Sequence, residues 1–428
     1  MRYSWDKGLG QGQNLRTFGS ALSYFKECMD ELILKVNSQL KTFEDLIEST
    51  ANHRIYIGAS DRTQYAFSAL PYILGRYCCY NGEIRPDIFT ISRDANVPVN
   101  DPKTDIGIVV SGTSFTGPAI NAMKGLTDTR VKTFFLTYTT LEKAREQQEA
   151  AMEEQNEIKE SVWDHFIKQP HYEERVIYLP MREESWKREQ KRASLAPMGT
   201  KFELSAAATA MGIGNGLRTY HSIDEDIKPN ETPLVTFLNT LVNFRNYLDV
   251  DLTQKCYESR LEIADFIQDL FIINHKKIVG FGGSENNALS FANRLTHCGH
   301  LGKGEKYGKE NKSVHILKSA YSGFITRNNM VIGISKSGDN PYTSFILKEA
   351  MKQNPEKIYL ITCHANPTIT AFNQKIVLPP IISTNEEESQ NTELGYLNTY
   401  AFLDSCIAQL ADNLDLDEED MKSLHRFI

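Results

Sequence analysis

Two short segments combine hydroxyl side chains with glycine where an apolar run gives way to a helical one. Ser335-Lys336-Ser337-Gly338-Asp339-Asn340-Pro341-Tyr342-Thr343 follows Met330 to Ile334 and precedes Ser344 to Lys352. Ser111-Gly112-Thr113-Ser114-Phe115-Thr116-Gly117 follows Ile106 to Val110, and Pro118 stands where a first helical turn accepts proline. A strand-to-helix turn of this kind lets backbone N–H groups converge, and the helix N-terminus adds about half a positive charge. The chemistry it suits is the binding of a tetrahedral oxyanion. Hydroxyl and amide side chains also cap helices with no ligand present, so one isolated turn decides nothing. Neither turn is a G-x-x-x-x-G-K-[ST] loop, and Gly280-Phe281-Gly282-Gly283-Ser284 lacks the spacing of a dinucleotide fingerprint, which disfavours nucleotide and NAD binding.

The elements that must position these turns recur along the chain. Arg54 to Ile57 ends in Gly58, Ala59 and Ser60, with Arg62 and a helical stretch from Gln64 to Tyr77 behind it. Lys277 to Gly280 ends in Gly282, Gly283 and Ser284, followed by a helical stretch from Asn287 to Leu295. Ile106 to Val110 matches Met330 to Ile334, and Thr133 to Thr137 matches Ile358 to Thr362. The pairs share an offset of about 225 residues, which is duplication of a whole domain and not a solenoid period. Val176 to Met181 resembles Lys375 to Pro380 at an offset of only about 200, so the first half carries roughly 26 extra residues. Leu141 to Lys168, rich in Glu, Gln, Lys and Ala, supplies them and predicts an inserted, solvated helix or helical hairpin.

Strands alternating with helices specify parallel βαβ units with right-handed crossovers. The expected fold class is α/β: two domains, each a parallel sheet flanked by helices in a doubly wound three-layer sandwich. Both hydroxyl turns then lie at the carboxyl ends of strands, where open α/β sheets bind ligands. The expected organisation is a helical arm over 1–50, a first domain over 51–220 with the insertion at about 141–170, a helical linker over 221–273, and a second domain over 274–428. Leu234, Phe237, Leu238, Leu241, Phe244 and Leu248 give the linker its apolar face.

With 428 residues and a formal net charge of −8, the chain is large enough for two cores and too acidic for a general nucleic-acid binder. Its basic cluster at Lys187 to Arg192 is interrupted by Glu189 and reads as a solvated helix face. No stretch approaches the ~20 apolar residues of a membrane span, and Met1 to Gln13 carries no secretory pattern, so a cytoplasmic protein is expected. The 7 cysteines, Cys78 and Cys79 among them, show no metal-ligand spacing and read as reduced buried thiols. No metal site is expected.

Ser335 to Thr343 resembles the Ser-x-Ser-Gly-x-Thr-x-Asp-Thr phosphosugar loop of the sugar isomerase (SIS) domain family. The resemblance runs along both halves, about Ala51 to Leu217 and Asn274 to Leu410. Asn340 stands in the first Thr position and Tyr342 in the Asp position; in the first half Val109 takes the place of the leading Ser and Thr116 that of the Asp. Two such domains in one chain look like the isomerase part of glucosamine-6-phosphate synthase and the tagatose-6-phosphate ketose/aldose isomerase group. The resemblance implies an anionic sugar bound by Gly58, Ser60, Arg62, Ser111, Gly112, Thr113, Ser114 and Thr116 in one half. In the other half it implies Gly283, Ser284, Ser335, Ser337, Asn340 and Thr343.

Interconversion of aldose and ketose passes through an enediol and needs a base, an oxyanion donor and no cofactor. Pro197-Met198-Gly199-Thr200-Lys201-Phe202-Glu203-Leu204 resembles the Pro-Met-Gly-Thr-x-Phe-Glu motif of 6-phospho-3-hexuloisomerases, which implies Glu203 as the base. The alternative role is a first-turn carboxylate that complements the helix dipole. Glu393 is its counterpart in the second half. The synthase-like families place a catalytic Glu near the end of the helix after Ser284, and counting along this chain gives His297, with Arg294 and His300 on the same face. These histidines could equally stabilise a helix C-terminus. The family's Lys-His-Gly-Pro loop has no counterpart; Ser319-Ala320-Tyr321-Ser322-Gly323 stands there.

The function expected is a cofactor-independent aldose/ketose isomerase, deaminating or not, acting on a hexose or aminohexose 6-phosphate. A non-catalytic sugar-phosphate-binding regulatory protein, or an isomerase for a sugar with a 6-sulfonate, is the alternative. A homodimer or homotetramer is expected, because such sites borrow residues from neighbouring subunits and the arm has Leu22, Phe25, Met29, Leu32 and Ile33 to bury.

Overall fold

Short apolar runs with no polar alternation make strands buried on both faces, the condition of a parallel sheet covered by helices. The computed structural model describes residues 3–10, 13–51, 54–59, 61–68, 70, 88–90, 101–153, 160–180, 200–220, 232–299, 313–318, 325–379 and 391–416. In chain order the first elements are α1 (Arg16–Asn37), α2 (Leu40–Ala51), β1 (Ile55–Ala59), α3 (Asp61–Phe67), β2 (Ile88–Thr90), β3 (Ile106–Val110), α4 (Gly117–Asp128) and β4 (Lys132–Thr137). Next come α5 (Leu141–Glu153), α6 (Trp163–Phe166), β5 (Val176–Tyr178), α7 (Thr200–Tyr220), α8 (Pro233–Tyr247), α9 (Thr253–Glu258) and α10 (Arg260–Ile272). The rest are β6 (His275–Gly280), α11 (Gly283–Gly299), β7 (Ser313–Ile316), β8 (Asn329–Ile334), α12 (Pro341–Lys352), β9 (Lys357–Thr362), β10 (Gln374–Val377) and α13 (Asn391–Asn413).

The strands form two 5-stranded sheets, β2-β1-β3-β4-β5 and β7-β6-β8-β9-β10 read from the same end, and every pairing is parallel. The repeat read from spacing is therefore a repeat of topology. The all-buried strands β3 and β8 occupy the centres, with Ile106 opposite both Ile55 and Lys132, and Met330 opposite both Lys276 and Lys357. Contacts divide the chain into two compact units: one runs up to Glu27 and from Asn243 onward, the other covers Cys28–Arg182 and Lys201–Val242. The stretches read as arm and linker are thus each shared between the units.

Around the first sheet, Tyr56, Val109 and Phe135 pack with Met123 and Leu126 of α4 and with Trp163 and Phe166. Phe135 meets these last two rings edge-on at 5.1 and 5.5 Å. This corrects the expected insertion. Its front, α5, is solvated with Ala144 as its buried residue, but Val162, Trp163 and Phe166 belong to the core. An apolar pair one helical turn apart outweighs the flanking charges, and the Trp163 indole N–H is satisfied by the Thr139 carbonyl at 3.1 Å. The second sheet is covered in the same manner, Val279, Val331 and Leu360 packing with Ile346, Leu347 and Ala350 of α12.

Candidate functional site

In each sheet the two strands at the reversal of strand order, β1 with β3 and β6 with β8, send their connections to opposite faces and leave a crevice at their carboxyl ends. Both hydroxyl turns open into such a crevice. Their backbones are held alike. Ser111 N–H donates to Leu136 O and Ser335 N–H to Ile361 O, both at 3.0 Å. The Thr137 hydroxyl donates to Gly112 O at 3.0 Å and the Thr362 hydroxyl to Lys336 O at 3.1 Å. Further along, Ser114 O accepts from Val162 N–H and Gly338 O from Ile369 N–H. Ser114 and Gly338 share a left-handed backbone, φ 63° and 69°.

These bonds correct the register in which the two turns were aligned. Ser111 is the equivalent of Ser335, Thr113 of Ser337, Ser114 of Gly338 and Thr116 of Asn340. The first turn therefore supplies its own leading Ser at Ser111, and Val109 is a buried strand residue. The glycines in the two letter strings, Gly112 and Gly338, are not equivalent, because in the first half the left-handed position is taken by Ser114. The threonines that clamp the turns, Thr137 with Thr139 and Thr362, were not singled out from the sequence. Their signal was available as a threonine ending equivalent strands.

The two turns differ in what they leave open. In the first, the Ser111 and Thr116 hydroxyls bond each other at 2.7 Å, Thr113 is exposed, and Thr116 at the N-cap of α4 makes no side-chain cap bond. The N–H groups of that first turn keep their attraction for an anion. In the second, the Asn340 side chain accepts from Thr343 N–H at 3.0 Å and so caps α12, while the exposed Ser337 hydroxyl bonds the Asp339 carboxylate. Asp339 places a negative charge on that turn, where Phe115 stands in the first. Ser335 and Thr343 are buried, with hydroxyls that have no hydrogen-bond partner in the described structure. Ser284 accepts from Lys336 N–H at 3.4 Å, joining the turns after β6 and β8 across the crevice.

Other expected contacts separate. A Cβ on Gly58 would lie 2.5 Å from that of Ala122, so this glycine lets strand and helix approach closely. Gly283 opens α11. Ser60 and His300 lie outside the described residues, as do the side chains of Arg62 and Glu393; the latter falls in the first turn of α13.

Glu203 is buried in the first turn of α7, and its neighbour Phe202 reaches the first hydroxyl turn. A Cβ on Gly112 would stand 2.5 Å from Tyr138 and 3.1 Å from Phe202, whose rings meet edge-on at 5.4 Å. The carboxylate is thus one residue from a ring in contact with the turn. Lys201, on the other side, is buried in an ion pair with Glu31. His297 is also buried, its Nδ1–H donating to Asn293 O at 2.7 Å, an arrangement that leaves Nε2 as the basic atom of the neutral ring. It lies about 20 Å along α11 from Ser284 at 1.5 Å per residue, so the helix does not bring it to the turn of its own half. Arg294, fully buried, stands 3.8 Å from buried Asp404 of α13.

No family model matches the chain. An uncharacterized protein of Archaeoglobus fulgidus is 22% identical over 189 residues, covering 43% of this chain and 91% of that protein, about the length of one half. Among solved structures, the chain is similar to the C-terminal domain of glucosamine-fructose-6-phosphate aminotransferase from Francisella tularensis, with a TM-score of 0.56, 11% identity, and 92% of this chain and 96% of that one covered. It is also similar to tagatose-6-phosphate ketose/aldose isomerase from Escherichia coli, with a TM-score of 0.51, 14% identity, and 91% and 92% covered. At these identities the likeness establishes a common two-sheet fold.

Proposed function

Taking the chain as a tandem sugar isomerase (SIS) fold, we propose that it interconverts an aldose and a ketose carrying a 6-phosphate, and that the first half holds the working pocket. The observation that carries this reading is the uncapped N-terminus of α4 behind the Ser111, Thr113 and Thr116 hydroxyls. In the second half the corresponding helix is already capped by Asn340 and its turn bears Asp339. An oxyanion replaces a missing cap in the first turn and meets a carboxylate in the second.

In the reaction, Glu203 takes the proton from C2 of the open-chain aldose and returns it to C1, while the hydroxyl proton moves from O2 to O1 through the enediol. The carboxylate ends as it began, and no electrons leave the sugar. Two experiments test the assignment. Ser111→Ala should weaken sugar-phosphate binding by roughly 1 to 3 kcal/mol, the worth of a bond to a charged group, while Ser337→Ala should change it little. Calorimetry giving the reverse order moves the pocket to the second half. Glu203→Gln should lower kcat by ~10² to 10⁴ with little change in affinity or melting temperature.

The ion pair of Lys201 with Glu31 beside Glu203 favours a second reading, in which this helix end is structural and the protein is a sugar-phosphate sensor. A coupled assay against hexose 6-phosphates, aminohexose 6-phosphates and a 6-sulfo sugar separates the readings. Turnover supports the isomerase, and thermal stabilisation without turnover supports the sensor.

A further inference from the structure

A cleft rich in basic side chains lies at the opposite end of the first sheet. β4 enters the sheet at Lys132 and reaches the clamp of the hydroxyl turn at Thr137, about 17 Å away at 3.3 Å per residue. Beside its entry is a cleft of about 600 Å³, a volume ordinary for a small-molecule site. Its lining carries four basic side chains, Arg130, Lys132, Lys168 and Arg175, against the carboxylates of Asp45 and Glu174. The chain as a whole has a formal net charge of −8, so this excess of positive charge is local.

The charges are not cancelled within the cleft. Lys132 is spoken for, its ammonium bonding Asp45 at 2.7 Å and the Ser49 hydroxyl at 2.9 Å. Arg175 is 6% exposed, and its guanidinium is held by neutral acceptors only: His171 O at 3.3 Å, Thr133 O at 3.4 Å, Gln169 Oε1 at 3.1 Å and Pro170 O. Four of its five N–H bonds are thus occupied while its charge stays whole. Burial pulls its pKa down, and Asp45 and Glu174 act on it only at a distance. Arg130 and Lys168 are exposed on the cleft, and among the described residues their side chains make no ion pair or hydrogen bond. A buried cation fixed by carbonyls, flanked by two uncommitted ones, resembles a receptor that awaits an anion, since buried charge without a counter-charge is costly.

We propose that this cleft binds a compact multivalent oxyanion, the di- or triphosphate group of a small molecule, independently of the sugar site. Calorimetric titration of inorganic pyrophosphate into the full chain in magnesium-free buffer tests it. Wild type should bind, with an affinity that falls as salt is raised. Arg130→Gln with Lys168→Gln, both exposed positions, should weaken binding at least tenfold, while Ser111→Ala leaves it unchanged and the double variant keeps its sugar-phosphate affinity. Lys35→Gln with Lys143→Gln controls for net charge. The proposal is overturned if pyrophosphate does not bind, if the control weakens binding as much as the cleft variant does, or if Ser111→Ala abolishes it, which would place pyrophosphate in the sugar turn.

Discussion

Ser114 and Gly338 show how one backbone demand is met by different residues in two copies of a fold. Both sit at positive φ, where an L side chain is strained by roughly 1 to 2 kcal/mol, and Ser114 in addition buries a hydroxyl without a partner. Ser114→Gly should therefore raise stability by about 1 kcal/mol after the extra entropy of an unfolded glycine is subtracted, a rise of about 2 to 4 °C in melting temperature. Gly338→Ser should do the opposite, because its Cβ would lie 2.5 Å from Pro367 and 3.0 Å from the Thr362 hydroxyl that clamps the turn. Melting curves of the two variants check both signs, and a destabilised Ser114→Gly would undo the register drawn between the turns.

Among the elements, β6 carries an unusual burden. Lys277, 8% exposed, stands opposite His315 of the edge strand β7, and His275 bonds Ser313 at 2.9 Å two positions back in the register. Burial holds the Lys277 ammonium below the ordinary lysine range, and burial, then Lys277 and His275, hold His315 below the ordinary histidine range. A depressed base binds fewer protons folded than unfolded, so its charge costs stability below the folded pKa. That cost is relieved as pH rises toward the unfolded value, near 10.4 for lysine. Lys277→Met should accordingly raise the melting temperature at pH 7 and flatten its rise on the alkaline side. Melts between pH 6 and 10 decide this, and a variant less stable than wild type at pH 7 would mean that Lys277 has an anionic partner.

For the molecule as a whole, the N-terminal helix bears on how the chain packs. Leu22, Phe25, Met29 and Leu32 are fully buried within the chain itself and Ile33 is half-buried, so four of the five residues read as a surface for a second subunit are already covered. The helix is also anchored at its start, where Phe18 N–H donates to Gln409 Oε1 at 3.1 Å and the Thr17 hydroxyl to Asp412 at 2.7 Å. Phe25→Ala should cost about 3 to 5 kcal/mol of stability and leave the mass in solution unchanged. Thermal melting with light scattering measures both. Dissociation of an oligomer without loss of stability would restore the helix as an interface, and any assembly that survives the substitution must use other surfaces.

Periodicity and spacing alone were enough for two copies of a parallel α/β sandwich, because strands buried on both faces and repeated strand-turn-helix units leave a local mark that the chain carries twice. They also placed both hydroxyl turns at strand ends, since a turn is written in adjacent residues. The register between the turns was hidden, because it depends on bonds from Leu136 and Ile361, strands away in sequence. So was the burial of Trp163 and Phe166 behind a charged segment, and the covering of the first helix. Which helix N-terminus is left uncapped was decided by whether Thr116 or Asn340 closes its own helix, and two residues equally fit to cap can be told apart only by where their side chains bond.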